Sequence, residues 1–329
     1  MSRAASPGLF ATPPPPAAIE ISSARVDAVA LSTHGSPTIT GHAIEPLPPG
    51  LVTPALNAVN VHDGAALAGA IKAALDRLTP RPKRVALLLP DIVGKVSLLR
   101  FEKIPAKEQD FEQLVRWQMR KAVPFRIEDA QVSWVEGATL EGGGREYVVL
   151  ASRRDIVESY ERACDAAGVY AGIVDIASFN LVNAVLGTMP GAATGDWLLV
   201  YTALDSAALV VVRDGRVIFY RNRPADGAAL DMGDLVHQTA MYFEDRLGGA
   251  TFGRVVLAGA SAHGPAAHGI RAQIEERLGA RVDLLDVRGA VAMRDRITAG
   301  PELLDAIAPA VGVLLRDRAA SKPSAGRVA

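Results

Sequence analysis

The chain has 329 residues, 49% of them hydrophobic and 22% charged, with a formal net charge of −1. That length suits two domains or one domain with an insertion, and the balanced charge excludes a general nucleic-acid or polyanion binder. The single cysteine, Cys164, excludes an intramolecular disulfide and a multi-cysteine zinc site, and fits a reducing, cytoplasmic setting.

The opening stretch, MSRAASPGLFATPPPP, lacks the apolar core of a secretory signal, and its four prolines predict a stiff, extended, disordered tail over residues 1–17. Three short runs follow, AIEIS, RVDAVALS and TITGHAIEPL, separated by tight turns, which predicts a β-meander. DGAALAGAIKAALDRL is a helix with Leu67, Ile71, Ala74, Leu75 and Leu78 on one face, and RVALLLP at 84–90 is a buried strand. From 91 to 171 the pattern changes to a ββαββα-type unit. DIVGKVSLLRFEKIP reads as a strand pair and AKEQDFEQLVRWQMRKAVPF as a helix stopped near Pro124. QVSWVEGATL and REYVVLASR read as strands around a glycine turn at 142–144, and DIVESYERACDAAG as a helix ending on Gly168. GIVDIASFNLVNAVLG then returns as a strand and a short helix.

The first grammar recurs about 180 residues later. WLLVYTAL, AALVVV, the turn RDG and RVIFYR form a second meander, with Asp-Gly as a strong hairpin signal. LDMGDLVHQTAMYFEDRLG is its helix, with Leu235, Thr239, Tyr242, Phe243 and Leu247 in register, and RVVLAGAS at 254–261 its buried strand. A repeated βββαβ order predicts an α/β protein of actin-like fold. Its first half spans 18–90 and 172–190, a small α+β subdomain is inserted over 91–171, its second half spans 191–316, and a disordered tail covers 317–329. The longest apolar stretch, WLLVYTALDSAALVVV, carries Asp205 and is too short to span a bilayer, so any membrane role comes through a partner.

The central stretch, LPDIVGKVSLLRFEKIPAKEQDFEQLVRWQMRKAVPFRIEDAQVSWVEG, resembles the PilM family of type IV pilus assembly proteins. The likeness rests on Leu89-Pro90, Ile104-Pro105, the Glu108–Ala122 helix, Pro124-Phe125, Glu128-Asp129 and the Val132–Trp134 strand, and extends over about 18–316. The resemblance implies an FtsA-like actin topology that binds ATP in the cleft between halves. It also implies a groove, between the first half and the small subdomain, for the cytoplasmic N-terminal peptide of PilN, a membrane-anchored platform protein. The cytoplasmic part of the secretion protein GspL is similar, but that family carries a membrane helix.

Set against the family's nucleotide loops, this chain departs at each one. An Asp-x-Gly turn lets backbone N–H groups approach phosphate. Here Glu20 and Ser22 hold those positions, and Asp27 stands where the family often has lysine. Ser23 keeps a hydroxyl, and Arg25 is a compensating cation. In the second loop Tyr201 replaces the Asp and Ala203 the Gly, followed by Asp205 and Ser206; in the third, Gly259 remains but Ala260 and Ser261 replace further glycines. The candidate nucleotide contacts are therefore Ser22, Ser23, Arg25, Asp205, Ser206, Gly259 and Ser261, in a degenerate cleft. No catalytic residue, metal site or cofactor is expected, with Mg-ATP as the alternative.

Elsewhere, GASAHGPAAHG, with His263 and His268, reads as a flexible loop rather than a metal site, and Arg116, Arg120 and Lys121 as a solvated basic face or a partner contact. Phe111, Val115, Gln118 and Ala122 form one stripe of the central helix, with Leu114, Met119 and Val123 beside it, serving as subdomain core or groove lining. The expected function is a non-enzymatic cytoplasmic scaffold that binds a PilN-like tail at the inner membrane and contacts other platform and motor proteins. Two alternatives stand: an actin-fold ATPase using Glu20 and Asp205, and an FtsA-like filament former.

Overall fold

The computed structural model describes residues 15–32, 35–140, 143–189, 191–225, 230–294 and 299–321, with side chains to residue 316. Most of the two predicted tails, His34 and Gly142 lie outside these residues.

The first meander forms as β1 (Ala17–Ile21), β2 (Arg25–Leu31) and β3 (Thr38–Pro46). It is followed by α1 (Gly64–Asp76) and β4 (Arg84–Leu89). The second repeats the series as β9 (Asp196–Thr202), β10 (Ser206–Arg213), β11 (Arg216–Pro224), α5 (Met232–Leu247) and β12 (Arg254–Ala258). Both helices start on an aspartate cap: the Asp63 carboxylate accepts from the Ala66 N–H, and Asp231 from the Asp234 N–H. The insertion comprises β5 (Gly94–Phe101), α2 (Glu108–Met119), β6 (Ala130–Thr139) and β7 (Arg145–Arg153). After it come α3 (Arg154–Ala166), β8 (Tyr170–Ile176) and α4 (Ala177–Thr188). The chain closes with α6 (Ala267–Leu278), β13 (Val282–Leu284), β14 (Ala292–Met293) and α7 (Pro301–Ser321).

Two sheets share one strand order. The first runs β14-β3-β2-β1-β4-β8 and the second β11-β10-β9-β12-β13. In each, the first strand of the meander pairs antiparallel to the second and parallel to the strand after the helix. The central strands β1 and β9 are buried on both faces, which explains why they read as continuous apolar runs.

Alternation along these strands builds the layers. Ile19 and Ile21 of β1 point outward to α1 and α3, while Ala18 points inward. Leu198 and Val200 of β9 point outward into the core with α5, whereas Trp197, Leu199 and Tyr201 point inward. The inner faces of both sheets close on α4 and α7, which form the central layer. Gly312 lets these two helices touch: a Cβ there would collide with the Asn180 carbonyl oxygen.

Several expectations need correction. The stretch read as a strand pair is a single 3-10 turn, Asp91–Val93, and one strand, β5. The inserted sheet is β5-β7-β6 with α2 on one face, where Phe101, Phe111, Val115, Met119, Tyr147 and Val149 make its core. The buried stripe of α2 is Phe111, Val115 and Met119, continued past the helix by Val123; Gln118, and Ala122 beyond the helix, are only half-buried, because the helix presents every fourth residue to the sheet. The helix α3 lies within the stretch assigned to the insertion, but packs Ile156, Tyr160 and Cys164 against α1 in the first half. The stretch GASAHGPAAHG is more regular than a loop: it holds short 3-10 turns between Ala260 and Ala266, kinked at Gly264, that run into α6. The strand β14, from the stretch assigned to the second half, completes the first sheet beside β3. Among the described residues no helix is long and apolar enough to cross a membrane.

Candidate functional site

The two halves meet where β1 and β9 end. Glu20 and Tyr201 occupy corresponding inward positions on these strands, and the Tyr201 hydroxyl donates to Glu20 Oε1 at 3.2 Å. Glu20 also faces Asp27 across the β1–β2 ladder. Both carboxyls are buried, and one cation answers them, Arg25, whose Nε donates to Asp27 Oδ2 at 2.7 Å. Burial, with the neighbouring Asp27 charge, pushes the Glu20 carboxyl up to about 8; burial also raises Asp27, against the pull of Arg25.

The first turn satisfies itself. The Ser22 hydroxyl accepts from the N–H groups of Ala24 at 3.3 Å and Arg25 at 3.1 Å, and the Ser22 N–H donates to the Arg25 carbonyl at 3.0 Å. These are the amides that a phosphate would need. The third loop is closed by a residue that the sequence reading missed. Asp305, on α7, accepts from the Gly259 N–H at 2.7 Å and from the Ser261 N–H at 2.8 Å. Gly259 sits at φ +78°, where a Cβ would collide with the Thr202 carbonyl and the Tyr201 ring. The only sequence signal for Asp305 is an acid set within a largely apolar helix.

The cleft thus brings together Ser22, Ser23, Arg25, Asp205 and Gly259, with Glu20, Asp27, Tyr201 and Asp305. Ser206 and Ser261 do not line it: Ser206 is buried with its hydroxyl donating to Asp205 Oδ1 at 3.3 Å, and Ser261 reaches the cleft wall only through its N–H. The space left open measures about 40 Å³. Pockets for small molecules typically measure about 300–1,000 Å³.

A second joint lies beside it. Asp91, in the 3-10 turn after β4, is buried and accepts from the Ser178 hydroxyl, the Ser178 N–H at 3.2 Å and the Tyr220 hydroxyl at 3.0 Å. Burial pushes its carboxyl up to about 6, against the pull of these donors. Tyr220 belongs to β11, so this bond again ties the second half to the first.

In front of Tyr220 opens a groove of about 1100 Å³. One wall is the loop after β3, with Leu47, Val52, Pro54 and Leu56; another is Ile92 and the start of β5, Gly94–Val96; the third is the end of β11 from Phe219 to Pro224, with Ala225 after it. Both β5 and β11 are edge strands of their sheets. Ser23, Ala24 and Asp205 line the inner end, so the groove and the closed cleft share a wall.

Two matching sheets enclosing a pair of helices, with three turns converging on the joint, define an actin-like fold. The family model for type IV pilus assembly protein PilM matches residues 18–245, and the chain belongs to that family. Among solved structures, a chain from a PilM-PilN type IV pilus biogenesis complex superposes with a TM-score of 0.77 at 20% identity, covering 93% of this chain and 98% of that one. A Bacteroides thetaiotaomicron protein of actin-like ATPase fold and unknown function superposes with a TM-score of 0.51 at 10% identity, covering 91% and 95%.

Proposed function

We propose that this chain is a cytoplasmic, non-enzymatic scaffold of type IV pilus assembly. It holds an extended peptide, the cytoplasmic tail of a PilN-like membrane protein, in the groove between the loop after β3, β5 and β11. The groove itself carries the reading: it is large, floored by apolar side chains and flanked by two sheet edges, the setting in which a peptide adds as a strand while its side chains enter pockets. The solved complex with PilN, whose PilM chain shares this fold, supports the choice of partner. The protein meets the inner membrane through that tail, and other platform and motor proteins engage the assembled pair.

The cleft between halves serves as a joint rather than a nucleotide site. Its amides are bonded to Ser22 and Asp305, its one cation to Asp27, and Tyr201 fills its centre. A triphosphate would have to displace all of these and would meet Glu20, Asp27 and Asp305 at short range. Calorimetry tests both parts. The N-terminal peptide of the PilN protein from the same organism binds, and Mg-ATP at millimolar concentration gives no heat. No binding of the peptide at high micromolar concentration overturns the scaffold reading, and Mg-ATP turnover overturns the closed joint. Tyr201→Ala destabilises the fold by about 3 kcal/mol in urea titration and still binds no nucleotide, because the loop amides keep their internal partners.

A further inference from the structure

The groove holds two polar side chains that the fold itself leaves unused. Both heteroatoms of the Asn222 amide are buried and have no hydrogen-bond partner among the described residues. The amide lies beside the Tyr220 hydroxyl and holds its pKa down as a hydrogen-bonding neighbour would, against the larger rise from burial, yet the pair does not meet the geometry of a hydrogen bond. Asp205 is in the same state on one side: Oδ1 accepts from Ser206, whereas Oδ2 is buried without a partner among the described residues. Both residues line the groove, at the end where the β10–β11 ladder begins, with Ala208 opposite Asn222 and Ser206 opposite Pro224. A buried donor or acceptor without a partner is costly to the fold, so two such groups on one wall call for a ligand that completes them.

We infer that Asn222 and Asp205 form the polar anchor of the groove, Asn222 pairing with a main-chain peptide group of the bound segment and Asp205 taking an N–H donor from it. This inference rests on the peptide-scaffold reading above. A carboxamide offers one donor and one acceptor side by side, which matches the main-chain N–H and C=O of one residue in an extended segment and fixes that segment in one register. Asp205 is the one carboxylate among the described lining residues, beside Lys95, Arg221 and Arg223. A cationic donor therefore has one place to sit, and a lysine, an arginine or the terminal amine of the segment is preferred there over a neutral N–H. The second phosphate loop of the fold thereby becomes the end wall of a peptide site, with Asp205 turned from nucleotide to peptide.

The test is calorimetry of the full chain with the N-terminal peptide of the PilN protein from the same organism. The peptide is used unmodified, with its amino terminus acetylated, and with each lysine or arginine replaced by methionine. Asn222→Leu weakens binding by about tenfold or more while the melting temperature of the unbound protein holds or rises, because an unpartnered amide has been replaced by an apolar group of similar size. Asp205→Ala weakens binding similarly and, unlike the wild type, no longer distinguishes the unmodified peptide from one of the modified ones. A fall in melting temperature for Asn222→Leu shows that the amide serves the fold and overturns its assignment. Wild-type binding with both variants within twofold overturns the anchor and leaves the scaffold standing. No wild-type binding overturns both.

Discussion

At the scale of single residues, the cleft is governed by how many charges are buried there and how few are answered. Glu20 and Asp27 face one another across two strands, and among the described residues the only cation bonded to either is Arg25. Holding one proton on Glu20 removes the repulsion, which agrees with its carboxyl standing near 8. The folded protein then keeps a proton that the unfolded chain releases near the ordinary glutamate value. Stability is greatest below that ordinary value, falls as the pH rises towards about 8, and levels off beyond it. Glu20→Gln mimics the protonated form and still accepts from Tyr201. Its melting temperature matches the wild type at pH 5 and exceeds it at pH 8.5; equal differences at both pH values would show Glu20 ionised throughout. The departures at Glu20, Ser22, Tyr201 and Ala203 from the family's turn pattern were legible in the sequence, because that turn chemistry is met by only certain residues. The carboxylate that holds the third loop's amides was not. Asp305 lies 46 residues from Gly259, and no local pattern announces a contact made only by packing α7 into the joint.

At the scale of elements, α4 and α7 decide how closely the two halves sit. Ala177 and Ala184 on one and Ala308 and Ala310 on the other are fully buried in the shared core, and Gly312 packs its backbone onto the Asn180 carbonyl. Glycine within a helix ordinarily costs about 1 kcal/mol relative to alanine. Here the sign reverses, because a methyl group has no room: Gly312→Ala lowers the midpoint of urea unfolding, where the same change at the exposed Gly69 of α1, which meets nothing, raises it. The meanders and their helices were readable because period two and period 3.6 differ sharply over such lengths. The α3 helix was placed in the wrong layer for a physical reason. Its amphipathic stripe says that one face is buried but not against what, and continuity along the chain favoured the insertion over the distant α1. The same limit hid the role of α2, where only the spacing of Phe111, Val115 and Met119 on the sheet separated core from half-buried flank.

At the scale of the whole molecule, the groove belongs to three bodies at once, and this sets what a bound peptide does. The loop after β3 is part of the first half, β5 opens the inserted sheet, and β11 is the edge of the second sheet. Behind the groove the bodies are already tied, by Tyr220 to Asp91 and by Tyr201 to Glu20. On the proposed reading, a segment lying between β5 and β11 bridges elements that, among the described residues, otherwise meet through side chains, and its binding would restrain the joint. Hydrogen exchange reads this directly. With the PilN-derived peptide bound, amides at 94–96 and at 219–225 slow together, whereas the opposite edge of the second sheet, β13, exchanges at its unliganded rate. Protection confined to one of the two edges would show that the peptide augments a single sheet and does not clamp the halves. Tyr220→Phe keeps the ring on the groove wall but removes its bond to Asp91. That variant still binds the peptide, yet transmits less protection to the inner ends of β1 and β9, because the tie that carries the restraint from groove to joint has been cut.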